Sequence, residues 1–127
     1  MSNHRLRVLV VEDEALIRWS IAETLGHEGH TVTEATDAAS ALTKLEDDND
    51  FDVVLMDYRL PDSNDLGLLA RVRRLQPRSA VVMMTAHGTP DMIERALALG
   101  AYRVVGKPFD MHALESLVIE AHDARVH

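Results

Sequence analysis

Apolar positions fall along the chain in short runs separated by stretches of a different rhythm. Leu6 to Val11, Val53 to Met56, Ala80 to Met84 and Tyr102 to Val105 are apolar runs rich in β-branched residues. They predict strands covered on both faces, the pattern of a parallel sheet. His30 to Ala35 alternates more and predicts a strand nearer an edge. Between the runs the spacing turns helical: Ala38, Ala41, Leu42 and Leu45 follow the i, i+3, i+4, i+7 pattern, and Leu66, Leu69 and Val72 follow it less strictly. Ile17, Ile21 and Leu25 mark a first helix, expected to stop before Gly26. Leu114, Leu117, Val118 and Ala121 mark a last one, with Asp110 as its cap. Thr89-Pro90-Asp91 supplies an N-cap, a first-position proline and an acidic first turn, and Gly100 lies where that helix ends. The β-α alternation recurs without a Pro/Ser/Gly-rich linker or an internal repeat. It predicts a mainly parallel sheet with helices on both faces.

Composition narrows the setting. At 127 residues the chain suits one domain, residues 1–127, since domains commonly run about 100 to 150 residues. Hydrophobic residues make up 46% and charged residues 27%, which is ordinary globular usage rather than that of a disordered segment. Thirteen Lys and Arg against twenty-one Asp and Glu leave a formal charge of −8, which lacks the basic footprint of direct nucleic-acid binding. Without cysteine there are no disulfides, thiolate metal sites or thiol chemistry. Apolar runs of about six residues or fewer fall far short of the roughly 18 a membrane span needs, and Met1 to Arg5 do not resemble a signal peptide. A cytoplasmic protein with no membrane contact is expected.

In open sheets of this kind ligands bind beyond the carboxyl ends of the strands. Glu12 and Asp13 follow the first run, Asp57 the second, Thr85 the third, and Gly106 and Lys107 the last. Taken singly, each reads as a helix cap, a turn residue or a solvated lysine. Jointly, a parallel sheet brings three carboxylates, a hydroxyl and an ammonium to one rim. Carboxylates that close repel one another and require a counter-cation; hard oxygen ligands beside water suit Mg²⁺. A carboxylate beside Mg²⁺ serves as a nucleophile toward phosphorus, with the metal, Lys107 and Thr85 meeting charge on the transferring oxygens. The rim offers no Ser, His or Cys nucleophile with a matching base, so phosphoryl acceptance fits better than acyl transfer.

These residues resemble the receiver domain of two-component response regulators. The matching motifs are Val10-Val11-Glu12-Asp13-Glu14, Asp57-Tyr58-Arg59-Leu60-Pro61-Asp62, Met84-Thr85-Ala86-His87-Gly88, and Gly100-Ala101 through Lys107-Pro108-Phe109, in order over roughly residues 5 to 122. The resemblance implies a flavodoxin-like (βα)5 three-layer α/β sandwich with a five-stranded parallel sheet, order 2-1-3-4-5. It implies that Asp57 accepts phosphate from a sensor histidine kinase. Glu12, Asp13, Asp57 and the Arg59 backbone carbonyl then hold Mg²⁺, and Thr85 and Lys107 carry the signal. The chain is expected to catalyse only its own phosphorylation and dephosphorylation, and so not to be an enzyme in the usual sense. The Lys107-Pro108 bond is expected cis, and pairing of two copies is expected through the fourth-helix, fifth-strand and fifth-helix face. Ile17-Arg18-Trp19 with Thr85-Ala86-His87-Gly88-Thr89 is similar to receivers of nitrogen-regulator-type transcription activators, whose output domains are not in this chain.

Three positions depart from the family. Val104 stands where an aromatic switch is usual, Tyr102 lies two residues earlier, and Arg103 replaces a common acidic residue. Asp65 stands where glycine is frequent, with Gly67 two residues on. Among smaller signals, His87 and Arg59 flank the rim, Trp19 suits either a docking surface or packing, Arg71-Arg73-Arg74 read as a solvated face, and Met83-Met84 as core. The competing readings are fewer than the fold allows. A haloacid-dehalogenase-type phosphatase needs a second Asp at the place of Arg59, and an FMN binder needs a Gly, Ser or Thr-rich loop where Glu12-Asp13-Glu14 repel phosphate. A receiver-like interaction module that no longer switches is the remaining alternative, motivated by Val104 and Arg103.

Overall fold

The computed structural model describes residues 5–48 and 50–126, with Val126 described for its backbone alone. The start of the chain, read above as no leader peptide, lies outside them up to His4. Strands β1 (Arg7–Val11), β2 (Thr31–Ala35), β3 (Val53–Asp57), β4 (Ala80–Thr85) and β5 (Arg103–Gly106) alternate with helices α1 (Ala15–His27), α2 (Ala38–Asp47), α3 (Gly67–Leu75), α4 (Pro90–Ala98) and α5 (Leu114–Val126). The sheet is parallel with order β2-β1-β3-β4-β5, as expected. Leu9, Val11, Val54, Met56, Val81 and Met83 face one core with α2, α3 and α4. Val8, Val10, Val53, Leu55, Val82 and Met84 face the other with α1 and α5. The strict alternation follows from the two-residue period of a strand. Each fully covered Val or Leu contributes about 1.5 to 3 kcal/mol.

One boundary and the coverage of one strand differ from expectation. Helix α1 passes through Gly26 to His27 and is closed by Gly29 (φ +94°), where Gly29 N–H donates to Gly26 O at 3.0 Å and His30 N–H to Leu25 O at 3.1 Å. That arrangement needs a left-handed residue, which Gly29 supplies and Gly26 does not. Helix α4 ends alike at Gly100 (φ +108°), where an added Cβ would lie 2.7 Å from Arg73 Nε. The run Tyr102 to Val105, read as covered on both faces, is the edge strand that the order 2-1-3-4-5 requires, and it is less covered than read, with Val104 and Val105 half-buried and Arg103 exposed. Among the described residues no strand pairs beyond β5, which leaves its outer edge to solvent.

The expected caps form: Thr89 Oγ1 accepts from Met92 N–H at 3.1 Å, and Asp110 accepts from His112 N–H at 2.9 Å in a short 3₁₀ turn that leads into α5. Asp65 fits its position without a left-handed backbone, because its carboxylate accepts Gly67 N–H at 2.8 Å and turns the chain into α3. Arg73 is not part of a solvated face. Its guanidinium donates to Ser79 O at 2.8 Å and fastens α3 to the start of β4.

Candidate functional site

Register builds the site. Val11 pairs with Met56 and Asp57 with Met84, while Thr85 pairs with Gly106, so the strand ends meet on one rim. Glu12 leaves β1 with its N–H donating to Ala35 O at 3.0 Å and is 1% exposed. Asp57 and Thr85, the last residues of β3 and β4, are 6% and 4% exposed. Lys107 follows β5 and donates its backbone N–H to Thr85 O at 2.8 Å; its bond to Pro108 is cis, as expected.

The side chains converge. Carboxylate oxygens of Glu12, Asp13 and Asp57 lie within 4.8 Å of one another. Lys107 Nζ stands 2.8 Å from Asp57 Oδ2 and 2.7 Å from Glu12 Oε1. Asp57 Oδ1 accepts the Arg59 N–H at 3.2 Å, and Glu12 Oε2 accepts the Glu14 N–H at 3.0 Å. Three carboxylates against one ammonium leave two negative charges without a cation. Burial pushes the Glu12 carboxyl above its ordinary range, with the Asp57 charge acting in the same direction, although Lys107 and the Glu14 N–H pull against them. Burial alone lowers Lys107, but its hydrogen bond to Asp57 and the nearby Glu12 carboxylate outweigh that and hold the ammonium above the usual lysine range.

Glu12 Oε1 is buried, and although Lys107 lies close it receives no well-directed hydrogen bond. An oxygen so placed, among carboxylates carrying surplus negative charge, fits a hard divalent cation that keeps waters of its own. Glu12, Asp13 and Asp57 are the residues that would hold it.

The structure brings Glu12, Asp13, Asp57 and Lys107 together as the sequence predicts. Thr85 stands on the same rim, with Oγ1 accepting the His87 N–H at 3.2 Å. Arg59 is exposed, and what it gives Asp57 is a backbone N–H. Sequence reasoning missed that Lys107 bridges two carboxylates, not one, and that Arg18 reaches back to the Glu12 carbonyl. The i, i+4 spacing from Glu14 to Arg18 was the only hint of the latter.

Similarity to known proteins follows the same residues. The response regulator receiver domain family matches residues 8–119. The chain is 35% identical over 114 residues to the DNA-binding transcriptional regulator NtrC of Escherichia coli, covering 90% of this chain and 24% of that protein. It therefore spans about a quarter of the length of such curated relatives. Among solved structures, a CheY-like receiver domain protein from Methanospirillum hungatei superposes with a TM-score of 0.90 at 29% identity, covering 96% of this chain and 97% of that one. The beryllofluoride-activated NtrC4 receiver domain dimer gives 0.87 at 29% identity, covering 94% and 98%.

Proposed function

This chain belongs to the response regulator receiver domain family, and on that premise we propose that it takes a phosphoryl group onto Asp57 from a sensor histidine kinase in a Mg²⁺-dependent reaction. The observation that carries the reading is the meeting of Glu12, Asp13 and Asp57 within 4.8 Å, with Lys107 Nζ 2.8 Å from Asp57. An Asp57 carboxylate oxygen attacks phosphorus, the P–N bond to the donor imidazole breaks, and that nitrogen leaves with the bond's electron pair. Mg²⁺, when bound, neutralises charge on the transferring oxygens. Lys107 supplies a second positive charge, and the Arg59 N–H orients Asp57. Thr85, joined through its carbonyl to Lys107 N–H, carries the change toward β5. The Arg59 backbone carbonyl would join Glu12, Asp13 and Asp57 in holding the cation.

The chain then acts on no substrate beyond its own aspartate. It works in the cytoplasm on an output partner of transcriptional type, a reading supported by the similarity to NtrC; among the described residues no helix is long and apolar enough to cross a membrane. Pairing of two copies through α4, β5 and α5 is supported by the half-exposed edge strand, by exposed Leu97 and Leu99, and by the likeness to a receiver dimer.

Incubation with a small acyl phosphate or with beryllofluoride tests the reading. Mg²⁺-dependent modification at Asp57 is expected, and an Asp57→Asn protein labelled as strongly as the parent defeats it. Val104 favours a second reading for the output step alone. It is aliphatic, half-buried and packed against the α2–α4 core, and offers no hydroxyl to a moving Thr85. Amide exchange that changes only within the pocket on adding beryllofluoride favours that module; change spreading to α4 and β5 favours the switch.

A further inference from the structure

Asp13 hangs from a peptide bond whose other half is the Glu12 carbonyl. Because that unit is planar, fixing the carbonyl fixes the direction in which Asp13 leaves the strand. The carbonyl is held by one side chain: Arg18 Nη1 donates to Glu12 O at 2.9 Å. The same guanidinium donates through Nε to Glu34 Oε1 at 3.0 Å, and Arg18 is the better covered of the pair, 18% exposed against 46%. The Arg18 backbone is anchored in turn, with its N–H donating to Glu14 O at 3.0 Å in the first turn of α1. The chain thus runs from β1 through Glu12-Asp13-Glu14 into α1 and is tied back to its own starting carbonyl, with β2 joined through Glu34.

The acidic turn has reason to need such a tie. Carboxylates within 4.8 Å push one another apart before any cation is present. Glu12 is restrained at its N–H by Ala35 O and at its carboxylate by Glu14 N–H. Asp13 is exposed, so its position depends on the backbone that carries it.

We infer that Arg18 is a positioning residue for the cation site, holding the Glu12-Asp13 peptide so that both carboxylates face Asp57 without touching the cation itself. The inference deepens the proposed function and rests on Glu12 and Asp13 being the cation's ligands. Charge and geometry make opposite forecasts. As a nearby positive charge, Arg18 opposes a cation, and its removal tightens binding. As a tie, its removal weakens binding.

The test is Mg²⁺ titration of chelator-stripped protein by calorimetry, alongside urea denaturation of the same samples. Arg18→Ala is expected to weaken Mg²⁺ binding by roughly 10-fold, the lower end of what loss of a supporting hydrogen bond costs a metal site. Arg18→Lys keeps the charge and a single donor and is expected to fall between Ala and the parent. A residue that only props up the fold shifts the denaturation midpoint and leaves the affinity of the folded protein untouched. Affinity equal to or tighter than the parent in Arg18→Ala overturns the inference. Should that variant not fold, the same outcome in Arg18→Lys does so. A parent protein that binds no Mg²⁺, or binds it equally after Asp13→Asn, defeats the proposed site and this inference with it; parent binding lost on Asp13→Asn but unchanged on Arg18→Ala defeats the inference alone.

Discussion

The two rims of the sheet handle buried polarity in opposite ways. At the amino rim the buried side chains of His30, Gln76 and Ser79 are matched, and His122 Nδ1, 3.9 Å from Asp52 Oδ1, is the one buried atom there left without a hydrogen bond among the described residues. His30 Nδ1 accepts Leu6 N–H at 3.0 Å, which places the ring proton on Nε2, 3.1 Å from Glu115 Oε2. Gln76 Nε2 donates to Leu45 O and Asp48 O at 3.1 Å each, and the Ser79 hydroxyl donates to Phe51 O. At the carboxyl rim like charges are gathered, and a buried Glu12 oxygen lacks a well-directed donor. Matched groups hold a fold together and have nothing left to offer a ligand. Unmatched ones cost stability and keep the capacity to bind.

Substitutions at each rim should therefore fail differently. The largest effect is expected at the carboxyl rim in function: Lys107→Ala should slow labelling by a small acyl phosphate about 100-fold, as loss of one charge-stabilising donor does elsewhere. Its denaturation midpoint should move far less than its rate. A variant that loses stability and keeps its rate would erase the contrast. Next comes the amino rim: His30→Ala strands the Leu6 N–H and opens a void, at a cost of about 2 kcal/mol in urea denaturation, with the labelling rate of folded protein intact.

The smallest effect has the reverse sign. The folded Glu12 carboxyl titrates above its unfolded range, so the folded protein binds the proton more readily than the unfolded chain, and the charged form weakens the fold at neutral pH. Glu12→Gln in metal-free buffer should raise stability by about 1 kcal/mol while losing Mg²⁺. The gain is present above the raised folded value and shrinks as pH falls through it toward the ordinary glutamate range, because the parent then takes up its own proton. A Glu12→Gln protein less stable than the parent at neutral pH would show the site to be matched after all.

What could be read from the chain follows from how far each signal reaches. The β-branched runs, the Thr89-Pro90 start and the Gly100 stop are local, and each was found within a residue or two. Asp57 and Lys107 are 50 residues apart, yet strand ends in a parallel sheet share a rim, so their meeting was legible too. Gly26 misled because a glycine near a helix end is only a candidate stop, and the hydrogen bonds from Gly29 and His30 decide it. Arg18, His30 and Arg73 were not legible as ties. A polar residue on a helix or strand does not announce which carbonyl or amide it will meet, and His30 finds Glu115 85 residues away. The edge position of β5 was legible only through the strand order that the family resemblance implies, because nothing in the apolar run Tyr102 to Val105 itself marks an edge.

That open edge bears on how the chain behaves when crowded. An unpaired strand is a template on which further chains can stack into fibres, but β5 offers only four residues, begins at an exposed arginine and is followed closely by Pro108, which has no N–H to give. At the opposite border β2 presents exposed Thr31 and Glu34. Both ends of the sheet are thus poor seeds for runaway growth. A copy abundant enough to meet its own kind often can do so side by side without polymerising.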